Sequence, residues 1–162
     1  MLKPLPMLLP LLVSSCSTFS EVHLNYARKE ATIPYRDTTG PLRLRNHPRI
    51  TVSINGHRGE FLIDTGADGP AVTQRCIDRC GIRTSAGEPG DVTLNLWGTV
   101  IATDVAEDVA VQLHPDLTLR LSRVVVFRGE LLDGIFGVLD YNTLRALNAV
   151  IDVRQKTITV RQ

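Results

Sequence analysis

The chain has 162 residues, enough for one domain and short of what two would need. Its 43% hydrophobic and 22% charged residues are an ordinary globular balance, and with a net charge of +1 nothing suggests a nucleic-acid surface. Aromatic residues are scarce while Val, Ile, Leu and Thr are abundant, a bias towards strands.

Residues 1–15 stand apart. Lys3 is followed by an apolar stretch too short to span a bilayer, and Pro4, Pro6 and Pro10 disfavour a stable helix. The segment reads as a secretory signal, outside the fold. Its end, Val13-Ser14-Ser15-Cys16, resembles the bacterial lipoprotein signal. That resemblance implies cleavage before Cys16, lipidation of Cys16 and attachment to the cell envelope. Ser17, where such lipoproteins often carry an inner-membrane-retaining Asp, points to the outer membrane, facing the periplasm. An ordinary secretory signal with a chance cysteine is the plainer alternative. Residues 16–45 show no clear period and read as a tether, with one edge strand expected at Leu42 to Leu44.

The domain proper is expected over 46–162. Ile50, Val52 and Ile54 alternate with Thr51 and Ser53, then Asn55-Gly56 gives a strong hairpin signal. A returning strand runs through Phe61, Leu62 and Ile63 to Asp64. Thr73 to Cys80 reads as a short helix closed by Gly81, and 84–90 as a loop. Strands follow over 91–113, with a turn near Trp97-Gly98, and over 117–127. After the apolar run 131–137, residues 141–150 have helical spacing, with Leu144, Leu147 and Val150 on one side. Two short strands around a polar turn, Arg154 to Lys156, close the chain. The total is about eight short strands and two short helices, an all-β domain or small barrel.

An acid at the end of a buried strand needs a partner or a use, because an unpaired buried charge is costly. Phe61-Leu62-Ile63-Asp64-Thr65-Gly66-Ala67, set behind a strand-Asn-Gly-strand hairpin, resembles the retropepsin-like aspartic proteases. Ile135-Phe136-Gly137, after Asp133-Gly134, matches that family's second signature, and the resemblance spans about 48–160. It implies a small acid-protease barrel with one or two short helices. It implies Asp64 as the catalytic acid, with Thr65 tying the active loops of two chains together and Gly66 allowing a tight turn. Ala67 and Asp68 take the place of residues that line the cleft and bond the substrate main chain. A flap is expected at the Trp97-Gly98 hairpin. Two facing carboxylates share one proton, so one activates a water while the other protonates the scissile carbonyl. No second Asp-Thr-Gly or Asp-Ser-Gly occurs, so the resemblance implies a homodimer with one Asp64 from each chain, acting on an extended polypeptide. The chain departs from the family at Gly69-Pro70 and at Val138-Leu139-Asp140, where the stretch to the last strands is about three residues longer.

The expected activity is therefore that of an aspartic endopeptidase on a lipid tether. The alternatives are a catalytically silent envelope lipoprotein of the same fold that binds peptides or partner proteins, and a plain structural lipoprotein. No cofactor is expected. Cys76 and Cys80, four apart on the first helix, read as small buried hydrophobes; a bridge is the open alternative, strained unless the helix distorts, and no Cys or His spacing suits a metal. His23, His47, His57 and His114 are scattered and read as surface residues.

Overall fold

A computed structural model describes residues 22–26, 29–39, 46–67, 69–87, 103–128 and 134–161. These form eleven strands and two short helices. Strands β1 (Val22–Tyr26) and β2 (Glu30–Asp37) come first, then the hairpin β3 (Pro48–Ile54) and β4 (His57–Asp64). Asn55 and Gly56 both have positive φ, as a two-residue hairpin turn demands. Strand β5 (Ala71–Thr73) leads into helix α1 (Gln74–Cys80), and β6 (Thr84–Ala86) follows. The long antiparallel pair β7 (Asp104–His114) and β8 (Leu117–Phe127) precedes β9 (Ile135–Asp140), α2 (Tyr141–Ala146) and the final hairpin β10 (Val150–Asp152) and β11 (Thr157–Arg161).

The strand order is β10-β11-β2-β3-β4-β9-β5-β8-β7-β6, with β1 beside β8. A pairing of Ser53 with Gln112 brings β7 back to β3, so β3, β4, β9, β5, β8 and β7 close into a six-stranded barrel. Phe61 and Ile63 of β4, Ile50, Val52 and Ile54 of β3, and Phe136 and Leu139 of β9 face the main core with Cys76, Ile77 and Cys80 of α1. The alternate residues Leu62, Ile135 and Val138 face the other way and form a second apolar cluster with Ala67.

Both helices are capped as their sequences dictate. Thr73 accepts the Cys76 N–H at the start of α1, and Gly81, in the left-handed region, closes it. Asp140 caps α2 through the Asn142 and Thr143 N–H groups.

The sheet is larger than the sequence reading, and three expectations are corrected. Part of the expected tether is structured: β2 buries Ala31, Ile33 and Tyr35 in strict alternation, held between β11 and β3. Pro34 and the flanking charges hide that period. Thr84 to Ala86, expected as loop, pair with Asp104 to Ala106 although all three are exposed, because backbone hydrogen bonds rather than burial hold them. Val150 lies beyond α2, which stops at Ala146, and is 54% exposed as the first residue of β10. The expected edge strand at Leu42 to Leu44 lies outside the described residues.

β9 sits between two partners. It runs parallel to β4, with Phe61 opposite Gly137 and Leu62 opposite Val138, and antiparallel to β5, with Gly137 opposite Val72. A Cβ on Gly137 would stand 2.3 Å from the Ala71 carbonyl oxygen and 2.8 Å from the Phe61 ring. One obstacle is backbone, so no side-chain rotation relieves it. Gly137→Ala should therefore destabilise the fold by about 3 kcal/mol or more, the upper end for overpacking. Gly69→Ala, whose Cβ would meet nothing within 4 Å, should stay within about 0.5 kcal/mol of the parent. Urea unfolding of the two variants beside the parent measures both.

Candidate active site

The chain leaves β4 at Asp64, passes round the end of β9 and returns as β5. Four consecutive residues of β4, Glu60 to Ile63, are buried, whereas Asp64 is half-buried and Thr65 and Gly66 are exposed. The carboxylate thus emerges from the barrel end instead of lying inside it, which removes most of the desolvation cost a buried charge would carry. Asp64 Oδ1 accepts the Gly66 N–H at 2.9 Å, and the Asp64 carbonyl accepts the Ala67 N–H at 3.2 Å. These two bonds shape the loop and aim the carboxylate away from the core.

Ala67 rests on Leu62, Ile135 and Val138, so the first loop and the second signature share one apolar floor on the face that carries Asp64. The three signature residues divide their work. Ile135 belongs to that floor, Phe136 to the barrel core, and Gly137 permits the close passage between β4 and β5. Thr73 joins the two segments, since its hydroxyl donates to the Ile135 carbonyl at 3.0 Å while accepting from Cys76. Asp68, the Trp97-Gly98 flap and Cys16 lie outside the described residues.

Two acids near the site, Asp140 and Glu60, carry no role assigned from the sequence. Asp140 pairs in register with Asp64 on the parallel strand and is fully buried. Both its oxygens are taken up by α2: one accepts the Asn142 N–H, the other the Thr143 N–H and hydroxyl. It is a helix cap and leaves Asp64 without a dyad partner among the described residues. Glu60, on the same face, is gripped by Arg36 of β2, through Nε at 2.8 Å, and by Arg49 of β3 at 3.1 Å. Its partners are 24 and 11 positions away, beyond any helix or turn pattern. The Asp140 cap, in contrast, was readable as an acid just ahead of a helical run.

The histidines divide. His23 and His57 are exposed, whereas His47 and His114 are half-buried, a correction for both. His47 is held in the sheet because its N–H and carbonyl are bonded to Thr38. His114 Nδ1 accepts the Asp116 N–H in the β7–β8 turn. Cys76 and Cys80 are free and buried with sulfurs 3.9 Å apart. Burial, reinforced by the neighbouring Cys80, pushes the Cys76 thiol far up, which leaves it a packing group rather than a nucleophile. No cluster of three or more His, Cys, Asp or Glu suited to a metal occurs among the described residues.

The gag-polyprotein putative aspartyl protease family model matches residues 50–141, more than half of the chain and the whole path from β3 through both signatures. The chain belongs to this family. Solved structures agree on the fold of this aspartyl protease relative. The retroviral protease-like domain of Ddi1 from Leishmania major aligns at 14% identity over 71% of this chain and 87% of its own, with a TM-score of 0.50. EIAV protease, solved with an inhibitor, aligns at 21% identity over 70% of this chain and 100% of its own, with a TM-score of 0.52. A retropepsin-like aspartic protease from Rickettsia conorii aligns at 17% identity over 87% and 92%, with a TM-score of 0.47. No curated protein sequence matches the chain. The fold is the retropepsin-like barrel.

The two carboxylates that end β4 and β9 should separate in a stability measurement. Asp140→Ala removes a buried cap and leaves the Thr143 hydroxyl without its acceptor, so it should cost about 2 kcal/mol. Asp64→Asn, half-buried and nearly isosteric, should change stability by less than about 0.5 kcal/mol. Thermal unfolding followed by circular dichroism checks both.

Proposed function

We propose that this chain is an aspartic endopeptidase whose catalytic dyad is Asp64 together with Asp64 of a second copy. The observation that carries the reading is the state of the Asp64 loop: a half-buried carboxylate followed by exposed Thr65 and Gly66, on an apolar floor, with the in-chain neighbour Asp140 committed to capping. A single chain therefore holds half of the required chemistry. Two such loops brought together would set two carboxylates face to face, where one proton is shared between them because both cannot ionise. The ionised member takes a proton from a bound water, and the protonated member donates to the peptide carbonyl as the water attacks. The two acids titrate as a pair, so the rate should follow a bell-shaped pH profile belonging to the dyad. Thr65, which is exposed, would cross between the loops as its family counterpart does. The substrate is an extended polypeptide lying across both copies.

We further propose that the mature chain begins at Cys16, lipid-anchored to the outer membrane with the domain facing the periplasm. The support is the sequence Val13-Ser14-Ser15-Cys16 where the apolar run stops. Anchoring two half-sites to one surface would raise their effective concentration with no new contact, favouring the active pair.

The peptidase reading is tested by digesting a peptide library over a dilution series of the chain. Specific activity should fall as the dimer dissociates. Asp64→Asn, which can neither share the proton nor act as base, should lower the rate at least about a thousandfold, the order of a lost acid–base group. Equal rates in parent and Asp64→Asn would refute the assignment. For the anchor, the parent expressed in bacteria should take up labelled palmitate and sediment with membranes, and Cys16→Ala should do neither. A soluble, unlabelled parent processed at another position would sink it.

A further inference from the structure

The face of the sheet that carries Asp64 also carries two shielded side-chain nitrogens without a hydrogen-bond partner among the described residues. His47 and Arg49 are two residues apart on or beside β3, so their side chains leave the sheet on the same side. Arg49 pairs with Leu62 of β4, and Leu62 belongs to the apolar floor beneath the Asp64 loop. On the β2 side the ladder carries on past Pro48, since Thr38 and His47 are bonded to each other through N–H and carbonyl. The β3–β4 ladder ends with Arg49 opposite Leu62, and His47 and Asp64 each lie two residues beyond that row along their own segments. The step from the Arg49 row to the Asp64 row is about 7 Å along the strand.

Arg49 Nε and His47 Nδ1 are both shielded from solvent, and neither has a hydrogen-bond partner among the described residues. An arginine Nε–H can only donate, and His47 Nδ1 donates in its Nδ1–H form, so one acceptor between them would satisfy both atoms. Leaving such groups unmade is costly. Among the described residues, the carboxylates on this face already accept bonds from within the chain. Glu60 is held by Arg36 and Arg49, and Asp140 by α2. Asp64 Oδ1 accepts from Gly66. Arg36 and Arg49 bring two positive charges to the one negative charge of Glu60, so this cluster keeps a net positive charge beside the site.

We propose that His47 and Arg49, backed by Arg36, form a subsite for a carboxylate, the acidic side chain of an extended peptide whose backbone passes Asp64. The inference rests on the peptidase reading for the nature of the ligand and adds to it a substrate class: peptides with Asp or Glu close to the bond presented to Asp64. The carboxylate would accept from Arg49 Nε and from His47 Nδ1 while Arg49 Nη1 keeps its bond to Glu60. The neighbouring floor of Leu62, Ile135, Val138 and Ala67 would take an apolar side chain of the same peptide.

The test uses the full-length Asp64→Asn chain, which cannot turn over its ligand, and pairs of fluorescent peptides that differ only by Glu or Gln at one position. Anisotropy titrations move that position through the peptide. At one position Glu should bind about tenfold tighter than Gln or better, the order expected of a charge-assisted bond in a shielded site. The advantage should shrink to about twofold in His47→Gln and in Arg49→Lys, which keeps the charge facing Glu60 but loses the Nε donor. Should Arg49→Lys fail to fold, His47→Gln decides alone. Glu and Gln binding alike at every position overturns the subsite while leaving the peptidase reading intact, and so does a preference that survives both substitutions. No peptide binding at all overturns both. Loss of self-association in the two variants, with no peptide discrimination in the parent, assigns the donors to a second copy and overturns the proposal.

Discussion

The structure depends on one close passage. β9 is threaded between β4 and β5, with Gly137 between Phe61 and Val72, and only a residue without a Cβ fits beside the Ala71 carbonyl. Because β4 and β5 stand on opposite sides of β9, the chain between them must go round its end. That detour is the Asp64 loop. The position of Asp64 is thus a consequence of sheet topology: the strand in the middle brings the carboxylate out at the end of the barrel, half in solvent.

Around this passage the polar groups are allotted with little left over. Thr73 links the cap of α1 to the carbonyl of Ile135, so the helix is fastened to the second signature strand. Asp140, which would otherwise be a buried charge beside Asp64, is neutralised by the start of α2. Glu60 is offset by two arginines from the neighbouring strands. Each arrangement satisfies a group that would be expensive if left alone, and among the described residues Asp64 Oδ2, His47 Nδ1 and Arg49 Nε keep unused bonding capacity.

The proposed half-site arrangement rests on a single Asp-Thr-Gly in the sequence. Two-fold association is the shortest route from one carboxylate to two, because symmetry duplicates the loop without duplicating the sequence. If activity requires two copies, as proposed, local concentration would control it, and the proposed N-terminal anchor would favour the active pair.

The sequence by itself determined whatever depends on neighbours along the chain. The Asn55-Gly56 hairpin, the Thr73 and Gly81 ends of α1, the closing hairpin and the two signature segments were all legible, because turns, caps and alternation are written within a few residues. The six-stranded closure, the pairing of Asp64 with Asp140, the grip of Arg36 and Arg49 on Glu60, and the inclusion of β2 in the sheet were decided only in three dimensions. Exposed Thr84 to Ala86 and the Pro34-interrupted β2 gave weak local signals, since backbone pairing with distant strands, not their own side chains, fixes them. The reason is the same in each case: an antiparallel or parallel ladder is specified by what lies across it, and the residue across it can be anywhere in the chain.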